Sequence, residues 1–365
     1  MKSIRRIRIG ALHLAEGILS LLCAAALTGC THAIPASEPE PVTTTVTTTT
    51  EPPYVGALNP LTGEYGMREE AVGKRPVAVM VNNLKGALPQ YGIEAADIIF
   101  ELPVEGGITR LMAVYPDWEN VPNVCSVRSC RYYYPILCLG MDAIYCHWGL
   151  DMTMAKDVLN RTGIDHLDGG YLFGTVFFRD PERVGVYDSE HTGYMDGAEF
   201  AQYVADHGIR TDLGDAYNQP LFAFADADIP VTPDMQKAQS MTLYFSDSYF
   251  STFDYDAASG KYLKQHSGAP QIDQKTGNQL AFENVFALQT DIGLSADGYR
   301  MDVALTGGTG WYAANGGAEQ ITWQKDAETA PIRVFRADGT ELTVSAGKSY
   351  IGIIGSEKKI TFREE

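Results

Sequence analysis

Three arginines and a serine carry the strongest chemical signal in this chain. Arg128, Ser129 and Arg131 fall in the run Val127-Arg128-Ser129-Cys130-Arg131, and Arg110 lies just upstream. A guanidinium is a planar fork that holds a carboxylate or phosphate through two hydrogen bonds at once. Free backbone N–H groups at a helix start add to such a site. Arg128 and Arg131 stand three apart in what reads as a loop or a first helical turn, which suits anion binding. The structural alternative is internal pairing of Arg110, Arg128 and Arg131 with Asp97, Glu101 and Glu105.

The element that must position them is a hairpin. Asp97-Ile98-Ile99-Phe100-Glu101-Leu102 and Ile108-Thr109-Arg110-Leu111-Met112-Ala113-Val114-Tyr115 flank Glu105-Gly106-Gly107. Tight hairpin turns need positive φ, which glycine supplies. A Gly106-Gly107 loop would set Glu105 against Ile108 and Glu101 against Met112. Glu101, Glu105 and Arg110 would then share one face, with Glu101 and Arg110 as diagonal neighbours.

Other candidates are weaker. His147 closes a strand-like run, Asp142 to Trp148, and strand ends are where α/β sites tend to lie. A general base or a ligand is one role for it, and a hydrogen-bonded core histidine is the commoner one. Glu101 and Glu105 have the chemistry for acid/base work, although hairpin carboxylates are usually plain surface charge. Asp165-His166 with Asp168, and Asp188 to His191, offer metal-ligating types without a metal-site spacing. Nothing resembles a nucleophile elbow, a P-loop or a dinucleotide turn. No cofactor and no metal are expected. Beyond Cys30, Cys125, Cys130, Cys138 and Cys146 allow three full pairings, and Cys125 with Cys146 is open geometrically. Tyr132-Tyr133-Tyr134, Trp311-Tyr312 and Trp323 read as core packing rather than as sugar-stacking platforms.

The first residues are read as a processing signal rather than as structure. Lys2, Arg5, Arg6 and Arg8 form a basic region, an apolar run from Ile18 to Leu27 follows, and Leu27-Thr28-Gly29-Cys30 closes it. A leucine, two small residues and a cysteine is the lipobox of bacterial lipoproteins. Residues 1–29 are expected to be a signal peptide, with Cys30 acylated. Acyl chains add about 0.8 kcal/mol per buried methylene. Such an anchor would hold the protein on the outer face of the cytoplasmic membrane. Residues 30–53, with Pro35, Pro39, Pro41 and the threonines from Thr43 to Thr50, have little to bury and read as a tether. Fully extended it would reach roughly 75 Å.

The net charge of −18 argues against nonspecific nucleic-acid binding and against lying flat on an anionic membrane. It leaves room for a local basic site. The globular remainder divides by pattern. Residues 54–232 mix strands with helices. Arg75 to Val81 reads as a buried strand, Asp151 starts a helix, and Asp196-Gly197-Ala198-Glu199 is a capping box. This predicts an α/β domain with a mixed sheet. Residues 233–365 show short β-rich runs between turns such as Asn315-Gly316-Gly317 and Asp338-Gly339, which predicts a mainly antiparallel β domain.

Several of these stretches together resemble the YerB-like lipoprotein family of Gram-positive bacteria. In the first part they are Arg75-Pro76-Val77-Ala78-Val79-Met80-Val81-Asn82-Asn83, Pro89-Gln90-Tyr91-Gly92-Ile93, Ala96-Asp97-Ile98, Glu105-Gly106-Gly107-Ile108-Thr109-Arg110 and Val127 to Arg131. Asn284-Val285, Tyr299-Arg300, Gly308-Thr309-Gly310, Ile321 to Lys325 and Ala346 to Tyr350 look like its second domain. The resemblance spans nearly the whole globular part. It implies an architecture and a location, and no assigned reaction. The chain departs from the family pattern at Cys125 and Cys130, where small non-thiol residues are expected.

The sequence therefore points to a membrane-tethered, extracytoplasmic binding or scaffold protein without catalysis. Its expected ligands are wall glycan, wall peptide or an envelope protein, held at Arg110, Arg128, Ser129 and Arg131. The alternative is a cell-wall hydrolase or transferase with His147 as base and the arginines holding an anionic substrate.

Overall fold

The apolar run from residue 77 is a strand buried along its whole length, Val77–Asn82 (β1). The computed structural model describes residues 55–365. The expected signal peptide, Cys30 and the whole tether lie outside the described residues. In chain order β1 is followed by Ile98–Val104 (β2), Ile108–Tyr115 (β3), Ile144–His147 (β4), His166–Asp168 (β5) and Gln236–Lys237 (β6). Next come Ser240–Tyr244 (β7), Phe250–Asp256 (β8), Lys261–His266 (β9), Asn284–Thr290 (β10), Gly307–Ala314 (β11) and Gly317–Gln324 (β12). Arg333–Arg336 (β13), Ser349–Gly355 (β14) and Ile360–Arg363 (β15) complete the set used below.

Eleven of these strands form one mixed sheet in the order β6-β12-β11-β10-β14-β2-β3-β1-β4-β5, with β13 added beside β12. Successive side chains of a strand point to opposite faces. Ala78, Met80, Phe100 and Met112 therefore face one core, covered by the helices Tyr133–Leu139 (α1) and Met154–Thr162 (α2). Val77, Val79, Ile99 and Leu111 face the other. That face is covered by the helix Gly197–Asp206 (α3), by a three-stranded sheet of Val124–Cys125, Gly193–Met195 and Phe177–Arg179, and by a six-stranded antiparallel sheet built on β7, β8, β9 and β15. Half of the expected capping box forms: the Asp196 side chain accepts from the N–H groups of Ala198 and Glu199, while the Asp196 N–H donates to Val176 O at 2.9 Å instead of to Glu199.

The N-terminal part is thus α/β with a mixed sheet, and the C-terminal part is mainly antiparallel β. The division expected at residue 232 falls just before β6, yet the strands on either side share the large sheet. Within it, β14 lies parallel to both β10 and β2, with Ser349 against Ile98 and Gly352 against Glu101. The described residues, 55–365, form one compact unit.

The hairpin differs from expectation by one residue. Leu102 pairs with Arg110 and Glu101 with Leu111, because the turn takes three residues, Glu105–Gly107. Gly106 and Gly107 adopt φ of 79° and 71°, which is why both positions are glycine. A slip of one residue moves a side chain to the opposite face. Glu101 consequently joins Ile99 and Leu111 on one face, and Arg110 joins Leu102 on the other. They are not neighbours.

Glu101 instead ties the two large sheets together. Lys264 of β9 reaches its carboxylate at 3.3 Å, and both side chains are fully buried. The carboxylate also accepts from Asn83 at 3.0 Å, Thr109 at 2.7 Å, Ser251 at 2.8 Å and Tyr350 at 2.8 Å. Lys264 donates further to Ser251 at 2.9 Å and Gln271 at 2.6 Å. Burial alone would raise the Glu101 carboxyl, but Lys264, His266 and the hydroxyl donors outweigh it and hold the group below its ordinary value. Removing one partner of such a pair strands the other charge in the core. Lys264→Met should cost about 3–5 kcal/mol in urea unfolding. Adding Glu101→Gln should restore part of that loss. A double variant as unstable as the sum of the two single ones would show that the charges are not coupled.

Candidate functional site

The segment Val127–Arg131 is irregular but pinned at nearly every residue. Val127 N–H donates to Gly193 O at 2.8 Å and Arg128 N–H to Met80 O at 3.0 Å. Trp148 N–H donates to Arg128 O at 3.0 Å, and Cys130 N–H to Gly149 O at 2.9 Å. The segment is thereby wedged between the end of β1 and the residues that follow β4. Buried backbone groups need partners, so these bonds fix where the side chains leave the chain.

The three predicted arginines do come together, and they are not equally occupied. Arg131 is committed: its guanidinium takes the Glu105 carboxylate through bonds of 2.7, 2.8 and 2.9 Å. Burial would raise the Glu105 carboxyl, and Arg131 overrides this and lowers it. Arg128 makes one bond, 3.1 Å, to Glu190, a half-exposed carboxylate on the turn Ser189–His191. Its Nε is buried with no partner.

Arg110 is only 6% exposed. Its guanidinium donates to Ser129 O at 2.8 Å. No carboxylate forms an ion pair with it among the described residues. Burial pulls its pKa down to about 10, helped by the charges of Arg131 and Arg128. Three guanidiniums therefore face two carboxylates in a largely dry place. The Ser129 hydroxyl lies beside Gly149, where a Cβ would sit 3.4 Å from it.

The other candidates fall elsewhere. Glu101 is locked in the sheet-to-sheet network and takes no part in the arginine cluster. His147 is fully buried and has both nitrogens engaged: Nδ1 with Gly149 O at 2.9 Å and Nε2 with His166 Nδ1 at 3.0 Å. Burial pushes it down to about 4, against the pull of Asp168. Asp165 pairs with Arg75 at 2.5 Å, and Asp168 accepts from Gly149 and Gly170 N–H. His191 bonds Asn82 at 2.8 Å. Among the described residues no group of three or more such side chains is placed to hold a metal ion. Cys125, Cys130, Cys138 and Cys146 are buried free thiols. Burial pushes Cys125 and Cys130 up to about 12. Tyr133, Tyr134, Tyr312 and Trp323 are core residues.

Sequence reasoning missed two neighbours of the cluster, Arg179 and Trp148. Arg179 lays its guanidinium over the Trp148 ring at 4.6 Å and bonds Ser189 O and Thr192, next to Glu190. Gly169 and Gly193 make room for that ring, since a Cβ at either would fall within 2.8 Å of it. The glycines and Trp148 lie far apart in sequence, so no local pattern links them.

A mixed sheet backed by an antiparallel sheet, with the site where β1 and β4 end and β3 begins, defines a β-rich two-part class of chain. Residues 61–210 match the family described as "Protein of unknown function (DUF3048) N-terminal domain", and residues 241–351 match its C-terminal domain. "Putative lipoprotein YerB" of Bacillus subtilis (strain 168) is 28% identical over 299 residues, 81% of this chain and 85% of that protein. The crystal structure of the YerB protein from Bacillus subtilis aligns with a TM-score of 0.71 at 25% identity, covering 84% of this chain and 99% of that chain. The chain belongs to this YerB-like lipoprotein family. Among the described residues no helix is long and apolar enough to cross a membrane.

His147 supplies a pH test of the packing around the site. Its folded pKa of about 4 lies below the ordinary 6.5. As pH falls from 6.5 towards 4, the unfolded chain takes up the proton first, so stability is present above this window and lost across it. His266, pushed down to about 4 by burial and by Lys264, adds to the slope. His147→Gln should show a smaller loss of urea midpoint between pH 7 and pH 4.5 than the wild type. An unchanged slope would mean that His147 does not fold neutral.

Proposed function

We propose that this protein is a lipid-anchored, extracytoplasmic binding or scaffold protein of the cell envelope. In this reading the cluster of Arg110, Arg128, Ser129 and Arg131 recognises an anionic group on wall glycan, wall peptide or an envelope partner. The anchor rests on the lipobox at Cys30, which lies outside the described residues, and on the name carried by the Bacillus subtilis relative.

The observation that carries the site is Arg110. A nearly buried guanidinium beside two others, with no carboxylate of its own, is costly unless an anion completes it. An incoming carboxylate or phosphate would meet its unused donors, the partnerless Nε of Arg128 and the Ser129 hydroxyl. The fixed backbone around Val127–Arg131 means that little ordering is needed on binding. The enzymatic alternative lacks such support, because His147 has no free nitrogen to take a proton.

The test is cosedimentation of the protein with cell-wall sacculi. Charge-assisted hydrogen bonds contribute about 1.5–3 kcal/mol each. Arg110→Gln should therefore weaken binding roughly tenfold or more without lowering the melting temperature, and wild-type binding should fall with added salt. Equal binding by wild type and variant would overturn the assignment of the site.

A further inference from the structure

We propose that the ligand of this site is an acidic glycan, a pyranose chain bearing carboxylate groups, whose sugar rings lie on an aromatic platform beside the arginines. The inference rests on the anion reading above and goes beyond it in naming the ligand class.

The platform is the exposed ring of Phe173, braced against the Trp148 ring with centroids 5.9 Å apart and planes tilted by 48°. Phe173 is 58% exposed and the nearby Tyr171 is 84% exposed. Large exposed rings on one loop are an unusual cost for a soluble surface unless something covers them. The platform adjoins the arginine cluster directly: Trp148 N–H bonds Arg128 O, and Arg179 spans from the Trp148 ring to the turn that carries Glu190.

Two features favour a sugar over an apolar partner. A protein hot spot seats its anchor in a fully desolvated apolar pocket. Here the aromatic pair is bordered by a polar group, Arg179, which lies over the Trp148 ring and reaches the turn that carries Glu190. A matching ligand must be apolar on its face and polar at its edge, which describes a pyranose. Charge complementarity supplies the second argument. On a chain of net charge −18, this surface sets the Arg179 guanidinium on the Trp148 ring, whose backbone N–H bonds the Arg128 carbonyl of the arginine cluster. A carboxylate a few ångströms from the sugar face would meet both at once.

The experiment is calorimetric titration of the full-length protein in detergent micelles with three probes. These are the disaccharide of N-acetylglucosamine and N-acetylmuramic acid, the neutral disaccharide of N-acetylglucosamine, and lactate. Lactate stands for the acidic arm of the first probe. The acidic disaccharide should bind at least tenfold more tightly than either other probe. Tyr171→Ala/Phe173→Ala, two exposed positions, should weaken the disaccharide about tenfold and leave lactate unchanged. Equal affinity for lactate and the acidic disaccharide, or full affinity in the double variant, would overturn the glycan inference and leave the anion reading standing. Equal affinity for the neutral disaccharide would overturn the coupling to the arginines. Binding of neither acid would overturn the anion reading itself.

Discussion

One register governs both the core and the site. With Leu102 opposite Arg110, the hairpin sends the buried charges of its two strands, Glu101 and Arg110, to opposite faces of the sheet. Glu101 goes towards β9 and finds Lys264, so the two large sheets are joined by an ion pair surrounded by amide and hydroxyl donors. Arg110 goes the other way, to the helix side, and meets Ser129 O and the charges of Arg128 and Arg131. The three-residue turn with two left-handed glycines sets this register. A two-residue turn would place Glu101 beside Arg110, neutralise the site internally and leave Lys264 alone in the core.

The cluster shows how a strongly acidic protein keeps a positive site. Its arginines are held by backbone carbonyls and packing, and only two of the three have a carboxylate. Glu105 satisfies Arg131 fully and so fixes the floor of the site. Glu190 satisfies Arg128 through a single bond from an exposed turn, an arrangement that a competing anion can displace. Exposed ion pairs of that kind contribute about 0–1 kcal/mol. Arg110, which has no ion pair among the described residues, is thus accompanied by one strong pair, Arg131 with Glu105, and one weak one, Arg128 with Glu190.

Much of the architecture was legible from residue pattern. The continuous apolar run of β1, the N-cap at Asp196 and the β-rich character of the C-terminal part are local signals, and each formed as read. The register of β2 and β3 was not legible, because Glu105-Gly106-Gly107 allows both a two- and a three-residue turn. The return of β14 to lie beside β2 was hidden as well. Nothing local in Ser349–Gly355 marks a strand whose partner lies some 250 residues earlier. For the site, the arginines were found from residue type and spacing. Arg179 and Trp148 were missed because the fold, and no sequence neighbourhood, lays one over the other.

The central claim is that Arg110 is kept for an anion and not for the fold. Thermal unfolding of Arg110→Met beside the wild type, in low-salt buffer with and without citrate, tests it most directly. A residue held unpaired for a ligand costs stability when the ligand is absent. The account predicts that the variant melts about 2–4 °C above the wild type without citrate, on the scale of about 1 kcal/mol. It also predicts that citrate raises the wild type alone. A variant that melts below the wild type, with citrate raising both equally, would contradict the account and make Arg110 a structural residue.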